Sequence, residues 1–420
     1  MEEFSVKNQL KLSIPIAFES LVNVLMTVID TLLVTTLGLS AIGAVGAMGT
    51  VINLMLVIVN TILISNNTII ANLKGAKDTE GIKKTTGNSI IMALLFSFII
   101  MVIVFFVSPI FPSLFKVNEI CLSYLNVRLI GFLPLVVLTI LSGHERTMGN
   151  TKKILIIRIL SLVFNLIFNL VAIKLGYNIV GVAFATIIID ILVMIYLIVV
   201  TRKTVIYKYI KEYFDKIFNL AKWNFVERIV SRTEQFIFNI LVSRMGEMEY
   251  AVHVILIQIV DIFEQFISGF QTGITINVGI ALGRKSEESV TKIKSSAKKI
   301  IKGMAYVMPI IIFLIAMIVM FISFDSKKPM YIFLSIIPII LVIVLIISQS
   351  IYYFSLLRGM KDFSFLAKRN MISSVIKIIV ALFLSVPFGI VGVWVSYVVY
   401  AFMQFILSKK RFLLLEKTII

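Results

Sequence analysis

Residues 179–200 read IVGVAFATIIIDILVMIYLIVV, an apolar run that contains one charged residue, Asp190. A run of this length can cross roughly 30 Å of hydrocarbon as an α-helix. Residues 88–114, 154–175 and 304–324 form comparable runs. Because lipid offers no hydrogen-bond partners to backbone groups, such runs must be helical. Alternating ten-residue strand patterns are absent, which argues against an outer-membrane barrel.

The composition of the whole chain agrees with this interpretation. The chain has 420 residues, of which 59% are hydrophobic, and its mean hydropathy is +1.04. Soluble domains are closer to half apolar. We therefore predict an all-α polytopic membrane protein. Its twelve predicted spans are residues 10–37, 46–73, 88–112, 120–143, 154–175, 179–200, 219–243, 250–281, 303–324, 330–356, 364–386 and 390–408.

The net charge of +18 reflects membrane topology rather than nucleic-acid binding. Of the 40 lysines and arginines, 30 lie in the loops and at the span ends of one side, 5 lie in those of the other side, and 5 lie deeper in the spans. Loops rich in Lys and Arg stay in the cytoplasm. The sequence thus predicts a multi-pass protein of the cell membrane, inner or plasma, with both termini in the cytoplasm.

The chain also repeats itself, as transporters often do. A shift of 208 positions aligns several residues that hold the same place in both halves. The aligned pairs are Glu19 with Glu227, Gly38 with Gly246, and Gly75 with Gly283. We therefore predict two pseudo-symmetric lobes of six helices, residues 1–200 and 219–420, joined by a basic cytoplasmic linker at 201–218.

Charged residues inside the predicted spans are the candidate functional groups, because charge in a bilayer is costly. The acids are Glu19, Asp30, Asp190, Glu227, Glu234, Asp261 and Glu264, and the bases are Arg128, Arg158, Arg228, Arg232 and Lys377. Asp30 has no base within two turns of its own helix. Burial favours the neutral form of a carboxylate, so Asp30 could bind a proton on one side of the membrane and release it on the other.

The acids of the second half allow two interpretations. Glu227, Ser231 and Glu234 share one helical face, and Asp261 and Glu264 lie on the next span, so the five could line a cavity of the second lobe. The acids among them could instead belong to structural ion pairs, in which case we expect Arg228 and Arg232 to satisfy some of the carboxylates.

Six groups of residues resemble motifs of the multidrug and toxic compound extrusion (MATE) transporters, with some similarity to their DinF-like branch. The groups are Ile14-Pro15-Ile16 with Val28-Ile29-Asp30-Thr31 and Leu37-Gly38, Tyr124-Leu125-Asn126-Val127-Arg128 through Pro134, Arg146-Thr147-Met148-Gly149-Asn150-Thr151, Leu357-Arg358-Gly359-Met360-Lys361-Asp362, Gly181-Val182-Ala183-Phe184-Ala185-Thr186, and Ala251-Val252-His253. The resemblance covers nearly the whole chain and implies export driven by protons or sodium from a central cavity between two lobes.

The resemblance also implies a cation site in the first lobe. The matching positions are Asp30, Asn165 with Asn169, and Thr186. Asn169 stands where the family has an acid, and Asp190, one turn beyond Thr186, could supply the missing charge.

A second implied site, that of the sodium-coupled branch, departs further from the family pattern. Ser231 and Ile347 stand where that branch has acids, and Glu234 could substitute. His253 is predicted to be a packing residue with its hydrogen bonds satisfied.

The sequence thus predicts a secondary active exporter of amphipathic organic compounds, such as drugs, cationic dyes or peptides, that works by alternating access. The coupling ion is a proton or sodium, with sodium possible at Asp30, and no cofactor or other metal is expected. We expect a monomer in the lipid bilayer that binds small amphipathic molecules and no nucleic acid. A lipid-linked glycan flippase of the same superfamily and a non-transporting membrane protein stay open. An enzyme is not expected, since the chain has no Walker sequence, hydrolase elbow or metal-ligand spacing.

Overall fold

A computed structural model describes residues 4–115, 117–323 and 327–419, and within these ranges every regular element is a helix. The α-helices are α1 (Val6–Thr35), α2 (Leu39–Gly75), α3 (Thr79–Val107), α4 (Phe111–Phe115), α5 (Ile120–Ile130), α6 (Phe132–Met148), α7 (Thr151–Lys174), α8 (Ile179–Thr201), α9 (Lys211–Ser243), α10 (Glu247–Gly283), α11 (Glu287–Ser323), α12 (Lys327–Gly359) and α13 (Phe363–Ile419). A short 3-10 turn, Ser108–Ile110, joins α3 to α4.

The helices account for the predicted membrane spans. In the described ranges, nine helices are long and apolar enough to cross a membrane, and α5 with α6, bent by 46°, forms a tenth span. Helix α9 is not among these, because it carries several charged residues between 227 and 234. Helix α13 counts once but consists of two arms, so the arrangement is that of an all-α polytopic membrane protein with twelve helical segments.

The two arms of α13 meet at Gly389. A straight helix of 57 residues would be about 86 Å long, nearly three times the hydrocarbon thickness. Gly389 breaks it with a φ of 54° and a ψ of −135°, a conformation that a side chain would strain. Pro387, two residues earlier, lacks the N–H that would continue the ladder. The break agrees with the predicted boundary between spans 364–386 and 390–408.

The chain divides into two compact units, residues 18–222 and residues 1–17 together with 223–420. The boundaries of these units differ from those of the predicted lobes, because residues 1–17, which include the first turns of α1, group with residues 223–420. The division into lobes 1–200 and 219–420 therefore stays a prediction from the sequence. In the unit 18–222, α2 packs against α3 and α6, and Met48, Met55 and Phe132 lie in its core. In the other unit, α12 packs against α10, α11 and the two arms of α13, and Trp394 is fully buried.

The predicted linker at 201–218 is partly held by α3. Helix α8 ends at Thr201, residues 205–210 are not helical, and α9 begins at Lys211. The Asn88 side chain on α3 accepts a hydrogen bond from the Ile210 N–H at 2.8 Å and donates one to the Lys208 carbonyl at 3.1 Å. The Ile206 N–H donates to the Lys83 carbonyl at 3.2 Å. These bonds satisfy an irregular backbone that would otherwise need water.

The start of α1 packs closely on α10 through small residues of both helices. Ser13 and Ala17 are one turn apart on α1, and Gly269 and Gly273 are one turn apart on α10. A Cβ atom on Gly269 would overlap Ala17, and one on Gly273 would overlap Ser13. This is the small-residue pattern that lets helix backbones approach each other in membranes.

We therefore expect Gly269→Leu to destabilise the protein in detergent by about 1–3 kcal/mol, the usual cost of overpacking. A thermal-melting series would measure the loss. Gly303→Ala on α11 is the matched control, because nothing lies within 4 Å of its added Cβ. An unchanged melting temperature in Gly269→Leu would contradict the close packing.

Candidate cation site in the unit 18–222 and charge clusters in both units

Three helices bring four of the predicted site residues into one hydrogen-bonded chain. The Asn169 Nδ2 on α7 donates to Asp30 Oδ1 on α1 at 2.9 Å and to Asn165 Oδ1 at 2.9 Å. The Asn165 Nδ2 donates to Thr186 Oγ1 on α8 at 3.3 Å. The two asparagines lie four residues apart on one face of α7 and are fully buried, whereas Asp30 is half-buried. Asp30 is therefore the most exposed of the four side chains.

Asp190 lies near this chain, one turn beyond Thr186 on α8. It is 7% exposed, and it interacts electrostatically with Asp30, Arg128 and Arg158. Arg128, from α5, also acts on Asp30, so the carboxylate that lacks a base on its own helix receives one from another element. The geometry thus groups two acids with two bases across four helices.

One hydrogen-bond acceptor in this group of four side chains has no partner in the part of the chain that the structure describes. The Asn169 Oδ1 atom is buried and has no hydrogen-bond partner among the described residues. Together with the Asp30 carboxylate it provides oxygen ligands of the kind that bind hard cations. The described residues contain no group of three or more His, Cys, Asp or Glu side chains that could hold a metal ion.

Glu19 occupies a separate, structural position in the same unit. It is 2% exposed, and its Oε1 lies 2.7 Å from Arg146 Nη1 and 3.8 Å from Arg158 Nε. Arg146 lies at the end of α6 and Arg158 in α7. Glu19 therefore links α1 to α6 and α7 through buried ionic contacts.

The other unit repeats this pairing at the aligned position. Glu227 Oε2 on α9 lies 3.2 Å from Arg358 Nη2 at the end of α12. Buried Asn370 on α13 donates to the Glu227 carbonyl at 2.9 Å and to Ser231 Oγ at 3.0 Å. The predicted pair Glu19 and Glu227 thus has the same role in both repeats, each bound by an arginine from a distant helix end.

Glu234 has a buried base as its partner. Its carboxylate forms an ion pair with Lys377 Nζ on α13 and accepts a hydrogen bond from Ser374 Oγ at 2.6 Å. Glu234 is 5% exposed and Lys377 is 2% exposed.

Asp261 and Glu264, on α10, differ from these buried acids. Both side chains are exposed. They interact electrostatically with Arg232, and Glu264 also with Lys377 and Glu234. The five acidic and polar residues predicted for the second lobe thus divide into a bound group, Glu227 with Ser231 and Glu234, and an exposed group, Asp261 with Glu264.

The expectation that Arg228 and Arg232 would satisfy these acids was wrong for the direct ion pairs. Arg358 and Lys377 take that role, and Arg232 Nη1 instead donates to Gln235 Oε1 on its own helix at 3.0 Å. Arg228 and Arg232 lie on a helical face that adjoins the stripe of Glu227, Ser231 and Glu234, and bases from other helices reach these carboxylates instead. The sequence held a signal for the true partners, because Asn370, Ser374 and Lys377 form a polar stripe on one face of α13.

His253 packs as predicted but its hydrogen bonds are not satisfied. Its ring lies 5.5 Å from the Trp394 ring, edge to face. It is 1% exposed, and neither ring nitrogen has a hydrogen-bond partner among the described residues. The predicted packing role is therefore supported by the aromatic contact, and the predicted satisfaction of its nitrogens is not.

The sequence model of one protein family, MatE, matches this chain twice, over residues 15–171 and 225–383. The chain belongs to the MatE family. The two matches begin at residues 15 and 225, close to the 208-position shift that aligns the halves. The repeat inferred from a few glycines and acids is thus a repeat of the MatE unit, and the resemblance noted in the sequence is confirmed.

Curated relatives of this MatE chain match one segment of it. A protein described as a probable multidrug resistance protein NorM, from Bacillus cereus, is 35% identical over 109 residues. A protein of the same description from Bacillus anthracis is 32% identical over 109 residues. Each match covers 25% of this chain and 24% of the relative, so the chain aligns with about a quarter of their length.

Solved structures match over the whole MatE chain. A MATE transporter from Vibrio cholerae, VcmN, superposes with a TM-score of 0.89 at 14% identity, over 98% of this chain and 97% of the other. A transporter of the MOP superfamily from Pyrococcus furiosus, whose description reports a binding pocket of reversed polarity, superposes with a TM-score of 0.87 at 19% identity, over 98% of this chain and 97% of the other. At these identities the likeness shows the fold, which is that of MATE transporters.

Proposed function

We propose that this MatE protein is a secondary active exporter of amphipathic organic compounds, such as drugs, cationic dyes or short peptides, coupled to inward movement of protons or sodium. The observation that carries the proposal is the chain from Asp30 through Asn169 and Asn165 to Thr186. It couples an accessible carboxylate to buried amides, and it is the arrangement that a transporter needs to bind a small cation reversibly within the bilayer.

Alternating access follows from this site if the bound ion changes which side of the membrane the protein opens to. A ligand shifts such an equilibrium only by its different affinity for the two states. Proton or sodium binding at Asp30 neutralises a charge and changes the balance with Asp190 and Arg128. The transported compound also binds the two states with different affinities and shifts the same equilibrium in the opposite direction. Entry of the ion therefore drives exit of the compound.

The rest of the proposal concerns place and partners. The protein works as a monomer in the cell membrane. The distribution of Lys and Arg favours an orientation with both termini in the cytoplasm. It uses no cofactor, because the coupling ion is transported rather than held. The family consists of transporters, and catalysis of a chemical reaction is not part of the proposal.

The flippase alternative has less support. A lipid-linked pyrophosphate needs a cavity with excess positive charge. In the unit containing α9 to α13, the exposed charged side chains around Glu264 are Asp261, Glu264 itself and Arg232, two acids and one base, while Arg228 keeps the flippase alternative open. The local charge therefore favours a cation over a phosphorylated lipid.

Uptake of cationic dyes into inverted membrane vesicles tests the proposal. We expect energised accumulation of at least one dye. Collapse of one gradient, either that of pH or that of sodium, should abolish the accumulation, and collapse of the other should leave it unchanged. Vesicles without the protein are the control for passive entry. Absence of flux for every compound under both gradients would support a non-transporting membrane protein instead.

A further inference from the structure

The ammonium group of Lys377 is enclosed by three aromatic rings and a carboxylate, all within the unit that contains α9 to α13. Its Nζ lies 3.1 Å from the ring centroid of Tyr397, 4.3 Å from that of Phe238 and 5.0 Å from that of Tyr400. Glu234 completes the enclosure with an ion pair. We call Phe238, Tyr397, Tyr400 and Glu234 the aromatic box.

The three aromatic rings are not required to stabilise the ion pair between Lys377 and Glu234. A buried lysine and glutamate satisfy each other's charge without rings, and their burial is costly. Rings that face a cation on several sides, with one carboxylate, are the arrangement by which proteins recognise organic ammonium ions. The geometry is thus that of a ligand site whose ligand is the protein's own side chain.

The walls of the box are held by contacts that do not involve Lys377. The Tyr397 ring stacks on Trp394 at 5.0 Å and meets Phe238 edge to face at 5.2 Å. The Tyr400 hydroxyl donates to Asn370 Oδ1 at 2.8 Å, and Ser374 Oγ holds Glu234. Removing the ammonium group would therefore leave a formed cavity wall rather than a collapsed one.

The surroundings of the box attract cations. Exposed Asp261 and Glu264 on α10 act electrostatically on Tyr397, and Glu264 acts on Lys377. With Glu234 they are three acids, against the bases Lys377 and Arg232 that act on Glu264. A site with excess negative charge raises the local concentration of cations.

We propose that the aromatic box is an ammonium-binding site whose resident occupant is Lys377, and that an amine or quaternary ammonium group binds there when Lys377 withdraws on its flexible stem. The inference rests on the proposed function only for the natural ligand, which would be the cationic group of a transported compound. The exchange leaves the net charge beside Glu234 unchanged, since one cation replaces another there.

Equilibrium binding to the purified protein in detergent tests this, with tetramethylammonium as the probe. The chain has two tryptophans, so Trp223→Phe leaves Trp394, which stacks on Tyr397, as the reporter of the box. In that background we expect Lys377→Ala, which vacates the box, to bind tetramethylammonium at least about tenfold more tightly than the parent with Lys377, as cation–π contacts at a desolvated site allow. Tert-butanol, which is neutral and of similar size, should not change the fluorescence.

The matched control is Lys377→Ala with Glu234→Gln, which keeps the rings and removes the charge of the carboxylate; it should lose the gain. If Lys377→Ala does not fold, Lys377→Ser replaces it, because its short side chain also leaves the box open. Equal binding by the single and double variants, or no binding by a folded single variant, would overturn the proposal. The binding assay measures no transport. Its result can therefore be interpreted even if the vesicle experiment shows no export.

Discussion

Replacing Asp30 with asparagine is expected to abolish concentrative efflux and to leave the fold intact. The asparagine still offers an Oδ1 acceptor to Asn169, which bonds Asp30 at 2.9 Å, but it carries no charge and cannot take up a proton. One charge moved through ~100 mV supplies about 2.3 kcal/mol, or roughly fifty-fold accumulation of a compound per ion. The concentration ratio should therefore fall from up to about fifty-fold to near unity. Dye efflux from cells expressing each form measures this.

Asp215→Asn is the matched control, because it makes the same chemical change at an exposed position of α9. It should export dye as the unmodified protein does. Equal amounts of protein in the membrane and equal melting temperatures would exclude a folding defect in Asp30→Asn. Undiminished efflux by Asp30→Asn under those conditions would remove Asp30 from the coupling mechanism and with it the main support for the proposed function.

Replacing Glu19 with glutamine is expected to cause the largest loss of stability. Glu19 is 2% exposed, and the change leaves the charges of Arg146 and Arg158 without their carboxylate. Breaking a buried pair from one side costs about 3–5 kcal/mol. For a unit of this size a 3 kcal/mol loss lowers the melting temperature by about 6–12 °C, which a thermal-unfolding assay in detergent detects.

A second substitution distinguishes an unpaired charge from a general packing defect. Glu19→Gln combined with Arg146→Met removes both partners of the closest pair and should recover part of the lost stability. Glu227→Gln in the other repeat should cost less, since it takes the carboxylate from Arg358, whereas Glu19→Gln takes it from both Arg146 and Arg158. A double variant less stable than Glu19→Gln would show that the ion pair is not the source of the effect.

Much of the first site was predictable because it depends on short spacings and a family pattern. Asn165 and Asn169 share a helical face by their spacing of four, and the MATE resemblance placed Asp30 and Thr186 with them. The structure brings all four into one hydrogen-bonded chain. Whether that chain couples ion movement to export stays a prediction, which the Asp30→Asn experiment addresses.

The partners of the second-half acids were not predictable from the same reasoning. Glu227 binds Arg358 across 131 positions of sequence, and Glu234 binds Lys377 across 143. Helical periodicity describes one helix at a time and assigns an acid to the nearest base on its own helix, here Arg228 or Arg232. Which helices pack together decides the actual pairing.

The sequence by itself determined that this chain is an all-helical membrane protein with a repeated plan, because lipid forces long apolar runs into helices and because Lys and Arg remain on one side. It also identified which charged residues lie within the long apolar segments. Only the tertiary structure decided which of those charges are bound and which are exposed, and it alone brought three rings around Lys377. The physical reason is that periodicity specifies the face of a helix, whereas the energy of a buried charge depends on atoms supplied by other helices.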